Sequence, residues 1–160
     1  ARVMQEFSLK ETLLLRLISN GSMLHRPLVR QGIARIGELG GEVWFKLDRG
    51  TAAGIATVNG VSMNPERVEI ALRQCTALAP TWIQTCYFGI DGKEASDDEQ
   101  DAYLDLLRRM KGEIKGVHLY GLARPSLQPH SGHLMQLSPQ VLQRFADKIS
   151  ALGIKVSCNP

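Results

Sequence analysis

The sequence predicts an α/β fold in which a parallel sheet, built from βα repeats, forms part of a (β/α) TIM-like barrel. Three observations lead to this expectation. Apolar runs of strand length alternate with amphipathic segments of helix length. The turns from a helix into the next strand are short and contain glycine, whereas the loops that leave the strands are longer. We therefore expect about five strands and four main helices in a single domain over residues 1–160.

The strands are predicted from runs rich in aliphatic and aromatic residues, each bounded by glycine, proline or polar residues. In chain order they are TLLLRLIS (12–19), EVWFKLD (42–48), TWIQTCYFGI (81–90), GVHLYGLA (116–123) and IKVSC (154–158).

The helices are predicted from a start signal followed by an apolar stripe. Pro27 and Pro139 suit the first helical position, and Asn64 is a good N-cap. Ser96 and Glu99 have the spacing of a capping box. In chain order the helices cover residues 27–40, 62–79, 96–110 and 138–153.

The loops that leave the strands cover residues 20–26, 49–61, 90–96 and 124–137. In parallel sheets and barrels, the loops at the carboxyl ends of the strands build the active site. Their length therefore favours a functional site at that edge of the sheet.

One face of the predicted sheet is polar. Lys46 and Asp48 lie two residues apart in the second strand and so share a face with Trp44, while the residues between them are apolar. A sheet covered by helices on both faces should be apolar on both. The pattern instead indicates a barrel or half-barrel whose concave side lines a polar cavity. There the two charges need each other, a ligand or water, and a structural ion pair is the alternative interpretation.

Composition excludes several classes of function. The net charge of +3 is small and the basic residues are not clustered, so we expect no specific nucleic-acid partner. No apolar run reaches the length of a membrane span, which predicts no membrane partner. Cys75, Cys86 and Cys158 are odd in number and widely spaced, which favours structural cysteines in a reducing, cytoplasmic setting.

Four segments together resemble the later strands of a radical S-adenosylmethionine (radical SAM) domain. They are LLLRLISNGSMLHRP, GGEVWFKLDRGT, TWIQTCYFGIDG and GVHLYGLARPS, in the order in which the family has them. The strand ending in SNG is similar to the family's fourth barrel strand, and KLD with its Gly/Ala-rich turn to the fifth. WIQT and HLYGLARP are similar to the sixth and seventh. The resemblance covers residues 10–160.

The resemblance implies S-adenosylmethionine as a small-molecule cofactor and a [4Fe–4S] cluster in the intact family protein. Ser19 and Asn20 would contact the ribose or methionine end of the cofactor, and Tyr120 and Arg124 would line the substrate side. The cofactor-binding positions implied in this way are Ser19, Asn20, Lys46, Asp48 and Gln84. No catalytic residue and no metal ligand is assigned.

Two departures from the family pattern shape the functional hypothesis. The CxxxCxxC motif that holds the cluster is absent. Gly40–Gly41–Glu42 matches the letters of a family motif but precedes a strand, so we interpret it as a helix C-cap and strand start. The chain therefore resembles the C-terminal part of a radical SAM enzyme. By itself we expect it to be inactive and to hold no cofactor tightly.

Other interpretations remain open. An exposed first strand predicts pairing with a partner or a second copy, so the chain can be a truncated barrel that acts as a binding or assembly module. A lyase that uses Lys46 as a Schiff-base amine is a third option. Lys155 is interpreted as an edge-protecting charge. His130 and His133, two histidines in one loop, fit a substrate-facing loop better than a metal site.

Overall fold

The structure is a computed structural model that describes residues 13–122 and 133–159. Its strands are β1 (Arg16–Ser19), β2 (Glu42–Lys46), β3 (Thr81–Cys86), β4 (Gly89–Ile90), β5 (Gly116–Tyr120), β6 (Leu134–Met135) and β7 (Val156–Asn159). Its helices are α1 (Pro27–Glu38), α2 (Ala52–Asn59), α3 (Pro65–Thr76), α4 (Asp97–Arg109) and α5 (Pro139–Ser150).

Five strands form one parallel sheet in the order β1-β2-β3-β5-β7. This confirms the predicted α/β fold with a parallel βα-repeat sheet. Among the described residues the sheet is open, with β1 and β7 at its two edges. The short strands β4 and β6 pair antiparallel in a separate two-stranded sheet.

Helix α2 was not predicted, because its residues fall inside the expected long loop after the second strand. The Thr51 hydroxyl accepts a hydrogen bond from the Gly54 N–H at 2.9 Å and so caps its first turn. Gly60 ends it in the left-handed conformation, with φ of 68°. The described residues therefore form five helices, rather than the four main helices expected.

The predicted strand ends also need correction. The run 81–90 is two strands, Thr81–Cys86 in the main sheet and Gly89–Ile90, which pairs with β6. The last strand begins at Val156 rather than at residue 154. In the described part of the first run, strand β1 covers only Arg16–Ser19. Apolar composition located each strand but did not define where its hydrogen bonds begin.

The interpretation of Gly40–Gly41–Glu42 is confirmed. Gly40 has φ of 75° directly after the C-cap of α1, and the Gly41 N–H donates to the Ile36 carbonyl at 2.9 Å. Glu42 is the first residue of β2. The segment therefore lies at the amino edge of the sheet, opposite the loops that leave the strands.

The hydrophobic core lies on one face of the sheet. Val43 and Phe45 in β2, Ile83 in β3 and Leu119 in β5 are fully buried. They belong to one cluster with apolar residues of the helices, among them Ile33, Leu72, Leu107, Leu142 and Ile149. The alternate positions of the same strands are only half-buried, as in the pattern of β2. The predicted contrast between an apolar face and a polar face is therefore confirmed.

A candidate ligand site on the open face of the sheet

The open face is the side of the sheet that carries the alternate, half-buried residues. The parallel register places Lys46 beside Gln84, Gln84 beside His118, and Cys86 beside Tyr120. Register partners in adjacent strands share a face. The polar groups among them lie toward the carboxyl ends of their strands, where ligand sites of parallel sheets occur.

Lys46 and Asp48 form an ion pair, with 2.5 Å between the lysine Nζ and the aspartate Oδ2. The second carboxylate oxygen of Asp48 accepts a hydrogen bond from the Cys86 backbone N–H at 2.9 Å. Only 3% of the Asp48 side chain is exposed, against 40% for Lys46. Asp48 is therefore a buried anchor that joins β2 to β3, and Lys46 keeps N–H donors directed to the open side.

Burial keeps the neighbouring thiol and phenol in their neutral forms. Burial first, and then the nearby charge of Asp48, raise the pKa of Cys86 to about 11. Burial likewise raises the pKa of Tyr120 to about 12. A neutral thiol is a poor nucleophile, which agrees with Cys86 being structural. The Tyr120 phenol keeps its proton at neutral pH and can donate a hydrogen bond.

Arg49, which the sequence did not single out, fixes the start of the loop after β2. Its guanidinium donates to the Asp48 carbonyl at 3.0 Å and to the Phe88 carbonyl at 2.9 Å, and it lies 4.7 Å from the Phe88 ring centre. The residue is 5% exposed, and this burial lowers its pKa, while the charges of Glu99 and Asp48 act in the opposite direction. Arg49 thereby ties the Asp48 backbone to the segment that follows β3.

Glu99 holds the next part of the same loop. Its buried carboxylate accepts hydrogen bonds from the N–H of Gly50, the N–H of Thr51 at 3.0 Å and the Thr51 hydroxyl. The sequence suggested a capping box in which Glu99 would return to Ser96. The Ser96 hydroxyl does accept from the Glu99 N–H, at 3.3 Å, but the Glu99 carboxylate binds the β2–α2 loop instead.

A stack of aromatic rings occupies the amino half of the open face. The His118 imidazole lies 4.4 Å from the ring centres of both Trp44 and Trp82. Arg16 lies over the outer side of Trp44 at 5.1 Å and Lys155 lies over Trp82 at 5.4 Å. The strand alternation predicts that Trp44 and His118 share a face, but not that their rings meet across β3.

The charges around this stack act on His118 in opposite directions. Burial lowers the His118 pKa, the Glu42 carboxylate raises it, and the cations of Arg16 and Lys155 lower it further. The Glu42 carboxylate itself accepts from Arg16 and from the Trp44 indole, each at 2.9 Å. The interpretation of Lys155 as an edge charge stays compatible with its place directly before β7, the last strand of the sheet.

Ser19 is the last residue of β1, and Asn20 begins the loop that follows it. Ser19 is the register partner of Phe45 and so belongs to the helix-covered face. The Ser19 hydroxyl accepts from the Gly21 N–H at 3.1 Å, and the side-chain Oδ1 of Asn20 accepts from the Ser22 N–H at 3.1 Å. Both side chains thus brace the loop after β1, and their predicted contact with a cofactor stays a prediction.

Two other predicted positions, Arg124 and His130, lie outside the described residues. His133 is described, and its Nδ1 is 2.5 Å from the Asp91 carboxylate at the exposed end of the β4–β6 pair. Within residues 13–122 and 133–159, no three histidine, cysteine or acidic side chains gather as metal ligands. In the same ranges no helix is both long and apolar enough to cross a membrane.

A one-sided parallel α/β sheet with a polar open face is the architecture of a partial (β/α) barrel, and the solved structures that match the chain have it. No family model and no curated protein sequence matches the chain. A domain of pyruvate-formate lyase-activating enzyme from Bacteroides vulgatus matches with a TM-score of 0.68 and 14% identity, over 99% of this chain and 88% of that one.

A radical SAM methyltransferase from Sphaerobacter thermophilus matches with a TM-score of 0.59 and 14% identity, over 89% of this chain and 39% of that one. This second neighbour is thus a radical SAM protein. The resemblance predicted from the sequence is therefore confirmed at the level of the fold.

Proposed function

We propose that the chain is the C-terminal part of a radical SAM enzyme and that its open face binds S-adenosylmethionine and a substrate. One observation carries the proposal. Lys46, Asp48, Gln84 and Tyr120 come together at the carboxyl edge of a sheet whose fold is shared with radical SAM proteins. Because the helices of the described residues cover only the other face, these groups are open to a ligand in this part of the chain.

The residues of the open face suit a zwitterionic ligand rich in hydroxyl groups. Lys46, paired but part-exposed, can donate to a carboxylate, and the Gln84 amide can both donate to and accept from ribose hydroxyls. Each carboxylate oxygen of Asp48 already has a partner, one the Lys46 Nζ and the other the Cys86 N–H. We therefore propose that Asp48 positions Lys46. Tyr120 and Arg124 are proposed on the substrate side.

The cysteines of this chain do not fit a [4Fe–4S] cluster. Cys75 lies in α3 within the core, Cys86 lies on the open face, and Cys158 lies in β7 packed against the core. Such a cluster needs several thiolates at one point. We therefore derive no reaction step through a cluster, and we propose that its ligands belong to another part of the enzyme.

Nuclear magnetic resonance with S-adenosylhomocysteine, the stable demethylated form of the cofactor, tests the proposal on the chain as it exists. We expect weak binding, with a Kd of about 1 mM that corresponds to about −4 kcal/mol, and amide shifts at Lys46, Gln84 and Tyr120. Lys46→Gln should weaken this binding several-fold. Arg35→Gln, which removes an exposed cation of α1 paired with Glu38, should not. Shifts confined to other surfaces would refute the assignment.

The geometry does not favour a Schiff-base lyase. A reactive lysine amine is desolvated or lies beside another cation. Lys46 instead has a carboxylate at 2.5 Å and a side chain that is 40% exposed.

An assembly module remains the second candidate, because β1 is an edge strand with Ile18 57% exposed. The free edge of such a strand can pair with a strand of a second copy or of a partner chain. Sedimentation of the purified chain tests self-pairing. A dimer that Ile18→Lys converts to a monomer would support it, and a monomer at all concentrations would exclude the homo-oligomer.

A further inference from the structure

One cavity of the described chain lies away from the open face. It has a volume of about 490 Å³ and runs between the β1–α1 loop and helix α3. We call it the outer groove. Gly21 lines it, and a Cβ on Gly21 would lie 2.5 Å from the Phe45 ring, which belongs to the helix-covered face. The outer groove and the Lys46–Asp48 pair are therefore on opposite sides of the sheet.

The floor of the outer groove is apolar. Leu24 and Val68 are buried in it, and Met63 and Ala71 are half-buried beside them. Ile70 lines the groove with 56% of its surface exposed. The volume and the mixture of an apolar floor with a few polar groups are typical of small-molecule sites.

The rim of the outer groove carries an arginine, Arg67. Arg67 forms no ion pair within the described residues, whereas Arg73, six residues later on α3, contacts both Glu69 and Glu113. None of the described lining residues is acidic, and His25 and Gln74 add further polar groups. A planar guanidinium beside an apolar floor is suited to a carboxylate, which it can bind through two parallel hydrogen bonds.

We propose that the outer groove binds a small amphiphilic carboxylate. Its apolar part lies on Leu24, Val68 and Ile70, and its carboxylate pairs with Arg67. Asn20, an implied cofactor contact, also lines the outer groove, but the residues that carry this proposal are separate from Lys46, Asp48, Gln84 and Tyr120.

Three probes with the same phenyl ring and four-carbon chain test the charge and the place of binding. Phenylbutyrate, phenylbutanol and phenylbutylamine are titrated separately into the isotope-labelled chain, followed by amide resonances. We expect phenylbutyrate to shift the amides of Leu24, Val68 and Ala71, the alcohol to bind more weakly, and the amine not to bind. Equal binding of the three probes, or shifts outside the outer groove, would overturn the proposal.

Substitutions at two exposed residues separate the contribution of the carboxylate contact from that of the apolar floor. Arg67→Gln should weaken phenylbutyrate binding about tenfold and leave phenylbutanol unchanged, because it removes only the charge-assisted bond. Ile70→Ser should weaken both, because it removes part of the apolar floor. Arg35→Gln is the matched control for a surface cation and should change neither. An Arg67→Gln chain that binds phenylbutyrate as tightly as the native chain would refute the role of Arg67.

Discussion

Replacing Glu99 tests whether the loop after β2 is held by one carboxylate. Glu99→Ala removes the acceptor of the Gly50 N–H, the Thr51 N–H and the Thr51 hydroxyl. A hydrogen bond to a charged group contributes about 1.5–3 kcal/mol, and bonds within one network do not add fully. We therefore expect Glu99→Ala to lower the free energy of unfolding by about 3–5 kcal/mol, which is about 10 °C in Tm for a chain of this length.

Glu99→Gln is the informative partner of this substitution. It keeps one oxygen for the two backbone N–H groups, and its amide faces the Thr51 hydroxyl, which has a lone pair to accept a hydrogen bond. We expect a loss of only about 1 kcal/mol. Urea unfolding followed by circular dichroism measures both variants. Asp98→Ala, which removes an exposed acid of the same helical turn, should cost no more than about 1 kcal/mol.

If Glu99→Ala and Glu99→Gln lower the free energy of unfolding by the same small amount, the hydrogen bonds of Glu99 do not stabilise the loop. A second measurement follows the loop directly. Amide hydrogen exchange at Gly50 and Thr51 should accelerate in Glu99→Ala. Exchange in the centre of β3 should change far less, because those amides do not bond to Glu99.

Two further predictions concern His118 and Tyr87. The lowered His118 pKa means that the unfolded chain takes up this proton first, so stability contributed at His118 is present above its ordinary pKa of ~6.5 and falls as pH drops below it. Unfolding between about pH 7 and pH 5 should therefore show a smaller pH dependence in His118→Gln than in the native chain, and an unchanged slope would contradict this. Tyr87→Phe should be neutral or stabilising by up to about 1 kcal/mol, because the buried Tyr87 hydroxyl has no hydrogen-bond partner among the described residues. A loss of several kcal/mol on thermal unfolding would show that this hydroxyl is satisfied.

Local sequence patterns predicted the fold and one side of the site. The alternation of Val43 and Phe45 with Lys46 and Asp48 identified the buried and open faces, because strand geometry alone imposes a period of two. The same logic does not reveal partners that are distant in the chain. Gly50 and Glu99 are 49 positions apart, and only packing of α4 against the loop brings them together.

The short capping and pairing signals were the least predictable. Thr51 begins α2 in a segment whose glycine and alanine content suggested a loop, and its cap depends on a hydroxyl that also donates to Glu99. Ser19 shows the same limit, because the side of the sheet to which it belongs follows from its register with Phe45. Local propensity predicts neither the start of α2 nor the face to which Ser19 belongs, because tertiary contacts decide both.

The placement of Trp44 and Trp82 has a practical consequence. They are the two tryptophans of the whole sequence, and both lie on the open face against His118. When the tryptophans are excited selectively, the fluorescence of the chain therefore reports on this face. A molecule that binds over the stack will change the wavelength or the intensity of the tryptophan fluorescence, whereas one bound in the outer groove will leave this fluorescence unchanged. Tryptophan fluorescence therefore distinguishes binding at one proposed site from binding at the other.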